Sequence, residues 1–258
     1  MIVVRNLSFS YSPETPPVLR GIDLTLKPGE FVSIMGSNGS GKTTLARCLN
    51  GLLLPSGGSV QVHGWSSADP EENMKIRAVV GMVFQNPDNQ IVSTTVEREV
   101  AFGLENLGIP HEKMRPIVEE KLRQFNLERY RYRSPHTLSG GEKQLLALAS
   151  VLAMKPQYVI FDEPTSLLDP IWREKILGIV TELHRSGEIT PIFITQFPEE
   201  TLRTDRLLVL NKGQVLLDAS PGDVFLQSEI LQEAGIGIPA KFRLRPFLSQ
   251  LGLWEEPA

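Results

Sequence analysis

A glycine-rich stretch, GSNGSGKTT, runs from Gly36 to Thr44 and constrains the fold more than any other part of the sequence. It matches the pattern GxxxxGK[ST], in which glycines allow consecutive backbone N–H groups to face a phosphate. A short apolar run, residues 31–35, precedes it, and a segment of helical character, residues 45–52, follows it. The order predicts a phosphate loop that joins a buried strand to the N-terminus of a helix.

The residue types in this loop predict specific roles for its side chains. Lys42 is expected to reach the β- and γ-phosphates of a nucleoside triphosphate, and the Thr43 hydroxyl to bind Mg²⁺. The alternative is a glycine-rich turn that merely precedes a helix, and it is disfavoured because strand, lysine and threonine occur together. The candidate nucleotide-binding residues of the loop are Gly36, Ser37, Asn38, Gly39, Ser40, Gly41, Lys42, Thr43 and Thr44.

The composition is that of a globular protein with a large core, since 41% of the 258 residues are hydrophobic. The formal net charge of -4 gives no general attraction to nucleic acid, so we expect no nucleic-acid partner. The single cysteine, Cys48, excludes an intrachain disulfide and is expected to be a small buried residue. Without a signal peptide or an apolar run of roughly 18 residues, we expect a cytoplasmic location.

Tyr11 is a candidate nucleotide contact that lies upstream of the phosphate loop. It belongs to a loop rich in proline and serine between two predicted strands, residues 2–9 and 18–26. An aromatic ring beside a nucleotide site can stack on adenine with little demand for hydrogen bonds. The alternative is an aromatic residue that only packs against its neighbours.

Gln85 follows the second of two predicted strands, residues 59–63 and 79–84. An amide at the carboxyl end of an interior strand lies where α/β sheets bind their ligands. We therefore expect Gln85 to help hold Mg²⁺ or the attacking water, although a simple strand-ending turn would have the same sequence pattern.

The stretch from residue 95 to residue 154 contains no strand pattern and is predicted to be a helical insertion. Its helical segments are residues 96–107, 112–125 and 142–153. The last segment is introduced by Ser139, Gly140 and Gly141, whose backbone N–H groups at a helix start form a second candidate anion site. By itself, this pattern is more typical of a helix-capping motif.

Two carboxylates, Asp162 and Glu163, follow the apolar run YVIF. Adjacent residues of a strand point to opposite sides, so Asp162 is expected to orient Mg²⁺ or its waters. Glu163 is then expected to face the γ-phosphate and polarise the attacking water. Asp169, in SLLDP, is expected to cap the next helix, which does not exclude a functional contact.

The remaining sequence predicts a strand at residues 191–195, which ends at Gln196, and a hairpin at residues 207–218. A partly amphipathic helix is expected beyond Ser220. Packing against its own domain and subunit association are the two alternatives for this C-terminal segment.

Together these motifs resemble the ATPase subunit of an ABC transporter, and the resemblance spans nearly the whole chain. The matching features are Tyr11, GSNGSGKTT, Gln85, LSGGEKQ, YVIFDE and SLLD. The signature LSGGE, in a helical insertion between Gln85 and Asp162, separates this family from other phosphate-loop proteins.

The resemblance implies an α/β fold with a mixed-sheet core, an antiparallel β subdomain, a helical subdomain and a C-terminal helical extension. The ATP-binding core with its antiparallel subdomain would comprise residues 1–86 and 155–218. Residues 87–154 would form the helical subdomain that carries the signature, and residues 219–258 the extension, a candidate dimerisation segment.

The resemblance also implies that two ATPase domains close face to face, as a homodimer or a heterodimer, with ATP and Mg²⁺ between them. Ser139, Gly140 and Gly141 would then contact the nucleotide held by the phosphate loop of the partner. ATP binding would favour the closed dimer and hydrolysis would reset it.

A narrower resemblance, carried by VFQNPDNQIVSTTVEREVAFGLENLGI at residues 83–109, is to the energy-coupling factor ATPases of vitamin, cobalt or nickel uptake. It implies a transmembrane coupling protein and a substrate-binding membrane protein as partners, and a peripheral position on the cytoplasmic face of the cell membrane. Another ABC importer and a soluble ABC protein that acts on ribosomes or DNA are the alternatives.

Gln196 departs from the family pattern, which usually has histidine at this place. Glutamine offers only a neutral amide near the γ-phosphate, whereas histidine can carry charge or either neutral tautomer. We therefore expect a slow hydrolytic site. A regulatory nucleotide-binding module without turnover is a further alternative, which Gln196 favours and Glu163 disfavours.

Overall fold

The computed structural model describes residues 1–250, which form ten strands in two sheets, eleven α-helices and three short 3-10 helices. The strands are β1 (Ile2–Phe9), β2 (Leu19–Leu26), β3 (Val32–Gly36), β4 (Gly57–Val62), β5 (Trp65–Ser66), β6 (Val80–Val83), β7 (Tyr158–Asp162), β8 (Thr190–Ile194), β9 (Arg206–Asn211) and β10 (Gln214–Ala219). The helices are α1 (Lys42–Leu49), α2 (Pro70–Val79), α3 (Val96–Asn106), α4 (His111–Gln124), α5 (Gly140–Ala153), α6 (Pro170–Arg185), α7 (Pro198–Thr201), α8 (Pro221–Leu226), α9 (Ser228–Glu233), α10 (Ala240–Arg243) and α11 (Arg245–Gln250).

The central sheet has six strands in the order β10-β9-β3-β8-β7-β6. All neighbouring strands from β9 to β6 run parallel, and only β10 is antiparallel to its neighbour β9. Every residue of β6, β7 and β8 is buried, as expected for strands covered on both faces. Because the carboxyl ends of parallel strands meet at one edge, the segments after β3, β6, β7 and β8 converge there.

The second sheet has four antiparallel strands in the order β2-β1-β4-β5. Apolar residues of β1, β2 and β4 share one hydrophobic cluster with α1 and with one face of the central sheet. Cys48 of α1 is fully buried in this cluster, which confirms the expected small buried residue. The combination of a mixed sheet, an antiparallel sheet and helices confirms the predicted α/β fold class.

Helices α3, α4 and α5 share a hydrophobic cluster with the opposite face of the central sheet. Helix α5 is buried along most of its length, and the cluster continues to Val159 and Phe161 of β7. The region between residues 95 and 154 contains helices and no strand within the described residues, as its pattern predicts. The subdomain boundaries at residues 86/87 and 154/155 stay predictions.

Two local elements differ from the sequence prediction. Helix α1 begins at Lys42 and ends at Leu49, instead of covering residues 45–52, because the phosphate loop leads directly into its first turn. Helix α2 was not predicted, since it buries only Asn73 and Ile76 and has a weak apolar periodicity. Its start is nevertheless marked in the sequence by a capping aspartate followed by a proline.

The segment beyond Ser220 packs against its own domain in the described residues. Val224, Phe225 and Leu231 share a cluster with Met35 of β3 and with apolar residues of β9. The predicted extension at residues 219–258 reaches beyond the described residues at its last eight positions, and its role in dimerisation stays a prediction. Between residues 1 and 250, no helix is both long and apolar enough to cross a membrane.

Candidate functional site

The phosphate loop lies between the end of β3 and the start of α1, in the predicted strand, loop and helix order. A Cβ atom at Gly36 would lie 2.4 Å from the carbonyl oxygen of Leu210, so only glycine fits at the start of the loop. Gly41 has a φ of 104°, a left-handed conformation that a residue with a side chain rarely adopts. The two glycines allow the backbone to turn into the helix.

Lys42 is only 6% exposed and folds back over the loop that precedes it. Its Nζ donates to the carbonyl oxygens of Gly36, at 2.9 Å, and Ser37, at 3.2 Å. The same atom lies 3.7 Å from Oε1 of Glu163. The ammonium is therefore held between the loop and a carboxylate, where it can donate to an anionic ligand.

A cavity of about 430 Å³ opens beside the phosphate loop, within the usual size range of ligand sites. Most predicted site residues meet in it, and its lining consists of Tyr11, Val18, Asn38, Gly39, Gly41, Lys42, Thr43, Thr44, Gln85 and Glu163. Gly36, Ser37 and Ser40 lie in the same loop without lining this cavity. The Ser40 hydroxyl is buried and has no hydrogen-bond partner among residues 1–250.

The three candidate metal residues, Thr43, Gln85 and Asp162, line one neighbouring cavity of about 260 Å³. The Thr43 hydroxyl donates to Oδ1 of Asp162 at 3.0 Å. Burial raises the pKa of the Asp162 carboxyl, whereas the Thr43 hydrogen bond acts in the opposite direction. A hydroxyl, an amide and a carboxylate are oxygen donors of the kind that Mg²⁺ prefers, so the residues fit this ion.

Glu163 does not continue the strand, which corrects the prediction that two adjacent acids alternate across β7. Strand β7 ends at Asp162, and Glu163 has a left-handed φ of 49°. Its backbone N–H donates to the carbonyl oxygen of Ile194 at 3.0 Å, which fixes this turn to β8. The turn brings the Glu163 carboxylate into the cavity, and its Oε2 accepts from Nε2 of Gln85 at 3.2 Å.

Ser166 is a further contact of the Gln85 side chain, and its sequence context did not predict it as a site residue. The Gln85 amide also donates to Oγ of Ser166 at 3.2 Å, and this hydroxyl donates to the carbonyl oxygen of Glu163 at 2.9 Å. A serine three residues after an acidic strand end is a typical turn residue, which is the only sequence signal for this role.

Tyr11 lies at the edge of the cavity and is 59% exposed. Its hydroxyl shares a hydrogen bond of 3.1 Å with the Thr44 hydroxyl, and its ring meets Phe9 edge-on at 4.9 Å between ring centres. One end of the ring is thus fixed to the phosphate loop while much of its surface faces solvent. Stacking on adenine stays a prediction.

Ser139, Gly140 and Gly141 stand apart from this cavity, at the start of α5. Ser139 forms a capping box with Glu142, since each side chain accepts a hydrogen bond from the backbone N–H of the other. The pKa of Glu142 is held below its usual range, chiefly by a hydrogen bond from Tyr130. A Cβ at Gly141 would lie 2.1 Å from Cδ2 of Trp172, a contact that sequence reasoning did not predict.

Gln196 follows β8 at the same edge of the central sheet but does not line the cavity. Its side chain is exposed, and no other residue in the described part of the chain hydrogen bonds to its amide. Asp169 caps α6, as predicted, and accepts from the backbone N–H groups of Ile171 and Trp172 at 2.9 and 3.0 Å.

Comparison with known proteins agrees with this arrangement. A model of the ABC transporter family matches residues 19–166, more than half of the chain. Energy-coupling factor transporter ATP-binding protein EcfA1 of Caldanaerobacter subterraneus subsp. tengcongensis is 44% identical over 256 residues, which cover 98% of this chain and 92% of that protein.

Solved structures of two ATP-binding proteins also resemble the chain along most of its length. CbiO1 from Clostridium perfringens, part of the ABC transporter complex cbiONQ, has a TM-score of 0.80 at 33% identity and covers 95% of this chain and 98% of its own. The dimeric ATP-binding cassette MJ0796 bound to ADP and Pi has a TM-score of 0.75 at 29% identity, covering 86% and 99%. The chain therefore belongs to the ABC transporter family, as one of its ATP-binding subunits.

Proposed function

We propose that the chain binds and hydrolyses ATP to power a membrane importer of the energy-coupling factor type. The observation that carries this proposal is the cavity in which the phosphate loop, Gln85 and Glu163 meet. The similarity to EcfA1 over nearly the full length supports the importer type.

The roles of the residues follow from their positions around the cavity. Lys42 exchanges its contacts with the Gly36 and Ser37 carbonyls for phosphate oxygens, which offer a stronger, charge-assisted hydrogen bond. Thr43, Gln85 and Asp162 would hold Mg²⁺, which neutralises charge on the β- and γ-phosphates when bound. Glu163 accepts the proton of the attacking water, and Gln85 orients the Glu163 carboxylate by its hydrogen bond.

A closed dimer accounts for the separation of the signature residues from the cavity. Within one chain, Ser139, Gly140 and Gly141 do not line the cavity beside the phosphate loop. A second ATPase subunit would place its own signature residues on the nucleotide held here, and the dimeric state of the MJ0796 cassette supports this arrangement. The second subunit is either another copy of this chain or a related ATPase.

An apolar groove supports a membrane protein as a further partner. The groove has a volume of about 260 Å³, and its lining includes Leu52, Phe84, Phe102, Gly103 and Met154. Leu52 and Phe102 are exposed large apolar residues that line the same groove, and an exposed apolar patch rimmed by polar residues often marks the site where a partner binds. We propose that a transmembrane coupling protein docks here, at the cytoplasmic face of the membrane, next to a substrate-binding membrane protein.

The test is purification of the affinity-tagged chain from native membranes, followed by identification of the proteins that accompany it. We expect a second ATPase subunit and two membrane proteins, and Phe102→Ser should release the membrane proteins while the chain stays folded. Leu216→Ser is the matched control, because Leu216 is 39% exposed, close to the 43% of Phe102, but lies on β10 away from the groove. Recovery of ribosomes or DNA in place of membrane proteins would contradict the proposal.

A regulatory nucleotide-binding module is the second candidate, and Gln196 is the observation that favours it. The two candidates differ in turnover, since a regulatory module binds ATP without releasing phosphate. Phosphate release by the purified assembly therefore decides between them.

A further inference from the structure

A buried carboxylate, that of Glu200, hydrogen bonds to the turn that carries Gln196. The proposed reaction gives this carboxylate no role. Glu200, on α7, is only 4% exposed. It accepts a hydrogen bond from the hydroxyl of Thr195, and that hydroxyl in turn accepts the backbone N–H of Phe197 at 3.0 Å. The residues on both sides of Gln196 are therefore tied to Glu200 through one hydroxyl group.

Arg173, on α6, contacts the same turn and the Glu200 carboxylate. Its Nε lies 3.8 Å from Oε1 of Glu200, and its guanidinium carbon lies 3.6 Å from the centre of the Phe197 ring. A guanidinium over an aromatic face is attractive, and more so where water is excluded. Arg173 therefore contacts both the carboxylate and the ring that fix this turn.

The contact between Arg173 and Glu200 is better explained by its effect on the conformation of the turn than by a contribution to the free energy of unfolding. Burial raises the pKa of Glu200, against the effects of the Thr195 and Thr165 hydroxyls and of the Arg173 charge, so burial disfavours the charged form of this carboxyl. Apolar residues of similar volume often stabilise a core as well as a buried ion pair does. A buried pair that contacts a single turn is therefore suited to defining the conformation of that turn.

The contact between Arg173 and Glu200 is longer than a hydrogen bond. Within residues 1–250, neither Nε of Arg173 nor Oε1 of Glu200 has a hydrogen-bond partner. Their separation of 3.8 Å exceeds a usual N–H···O distance by roughly 0.9 Å. A small movement of either side chain would therefore be enough to form a charge-assisted hydrogen bond between them.

We propose that Arg173 and Glu200 are positioning residues, which set the conformation of the Gln196 turn and thereby direct its amide toward the γ-phosphate of the bound nucleotide. This inference rests on the proposed function, because it assigns Gln196 to ATP hydrolysis. The nucleotide-binding residues of the phosphate loop are not involved, so ATP affinity is independent of the pair.

The experiment compares Arg173→Gln with a matched control, Arg203→Gln, in the assembly purified through this chain. Arg203 pairs with Glu174 at 2.5 Å and also connects α6 to the region of α7, but that pair is exposed and does not touch the Gln196 turn. We expect Arg173→Gln to lower kcat about 10-fold with the KM for ATP unchanged, because a misplaced reacting group is costly. Arg203→Gln should leave both values at the wild-type level.

Two further measurements separate a positioning role from a general loss of stability. In a Gln196→Ala background, Arg173→Gln should lower kcat no further, because there is no amide left to position. Hydrogen exchange at the Phe197 amide should become faster in Arg173→Gln while the cores of β7 and β8 keep their protection. If Arg173→Gln does not fold, Arg173→Lys replaces it, since lysine keeps the charge beside Glu200 but loses the planar stack on Phe197.

An equal loss of kcat with and without Gln196, or an unchanged kcat in both Arg173 variants, would overturn the inference. An unchanged kcat in Gln196→Ala alone would overturn it too, because Gln196 would then have no role to support. Failure of the proposed function would give a different result, because the wild-type assembly would then not hydrolyse ATP.

Discussion

Gly141→Ala is expected to destabilise the chain although alanine favours helices, because the start of α5 lies against the Trp172 ring. An added Cβ would lie 2.1 Å from Cδ2 and 2.5 Å from both Cε2 and Cε3 of that ring. Favourable carbon–carbon contacts begin near 3.5 Å, so the ring or the helix has to move by about 1.4 Å. Three ring atoms are involved at once, so the movement of a single side-chain end does not relieve the clash.

Two opposing terms set the size of the effect. Overpacking of this kind costs about 1–3 kcal/mol, and replacing glycine by alanine in a helix returns up to ~1 kcal/mol. The net loss therefore lies between about 0 and 3 kcal/mol, and we expect a value near the middle of this range, about 1–2 kcal/mol. Gly140→Ala should be nearly neutral, since its Cβ would meet only Cδ2 of Leu168 at 3.9 Å, and Gly178→Ala should stabilise, since its Cβ would meet no atom within 4 Å apart from its chain neighbours and the backbone of its own helix.

The assay is urea unfolding of the three variants, followed by circular dichroism and analysed as free energies of unfolding. A double-mutant cycle with Trp172→Ala isolates the clash, because Gly141→Ala should become neutral or stabilising once the ring is removed. Equal stabilities of Gly140→Ala and Gly141→Ala, or an unchanged penalty in the Trp172→Ala background, would refute the packing argument.

Three further predictions concern the nucleotide site and its surroundings. Lys42→Ala should weaken ATP binding at least ~10-fold in calorimetric titration, because one charge-assisted contact to phosphate is lost, and unchanged affinity would refute the phosphate-loop assignment. Gln196→His should speed single-turnover hydrolysis, because imidazole can carry charge near the developing γ-phosphate, and a rate that does not rise would show that glutamine is already adapted to its surroundings. Burial raises the pKa of Cys48 to about 12, so the native chain should resist alkylation at pH 8 while the unfolded chain reacts; rapid labelling of the native chain would contradict this burial.

The phosphate loop was predictable because its pattern fixes both the residue types and the backbone conformation. The close approach of Gly36 to Leu210 and the left-handed Gly41 are the physical reasons for two of its glycines. The position of two site residues was predictable for a related reason, since Gln85 and Asp162 each follow an apolar run that predicts a buried strand. Gln85 and Asp162 could therefore be assigned to one edge of the sheet before any distance was known.

Other features depend on contacts between distant parts of the chain, which the sequence does not encode locally. Glu163 leaves the strand because its N–H bonds to Ile194 of β8, so a rule of strand alternation could not predict its direction. The contact of Trp172 with Gly141 depends on how α6 crosses the start of α5. Helix α2 was not predicted because only a few of its residues are buried, so its sequence shows little apolar periodicity.

Hydrolysis by Glu163→Gln tests most directly whether this chain turns over ATP in the way proposed. The amide keeps the shape of the side chain beside Gln85 but cannot accept a proton from water. In the assembly purified through this chain, with the substitution in every copy, we expect ATP affinity within about twofold of wild type and single-turnover hydrolysis at this site slowed ~100-fold or more. Hydrolysis near the wild-type rate at this site would contradict the assignment of Glu163 as the general base.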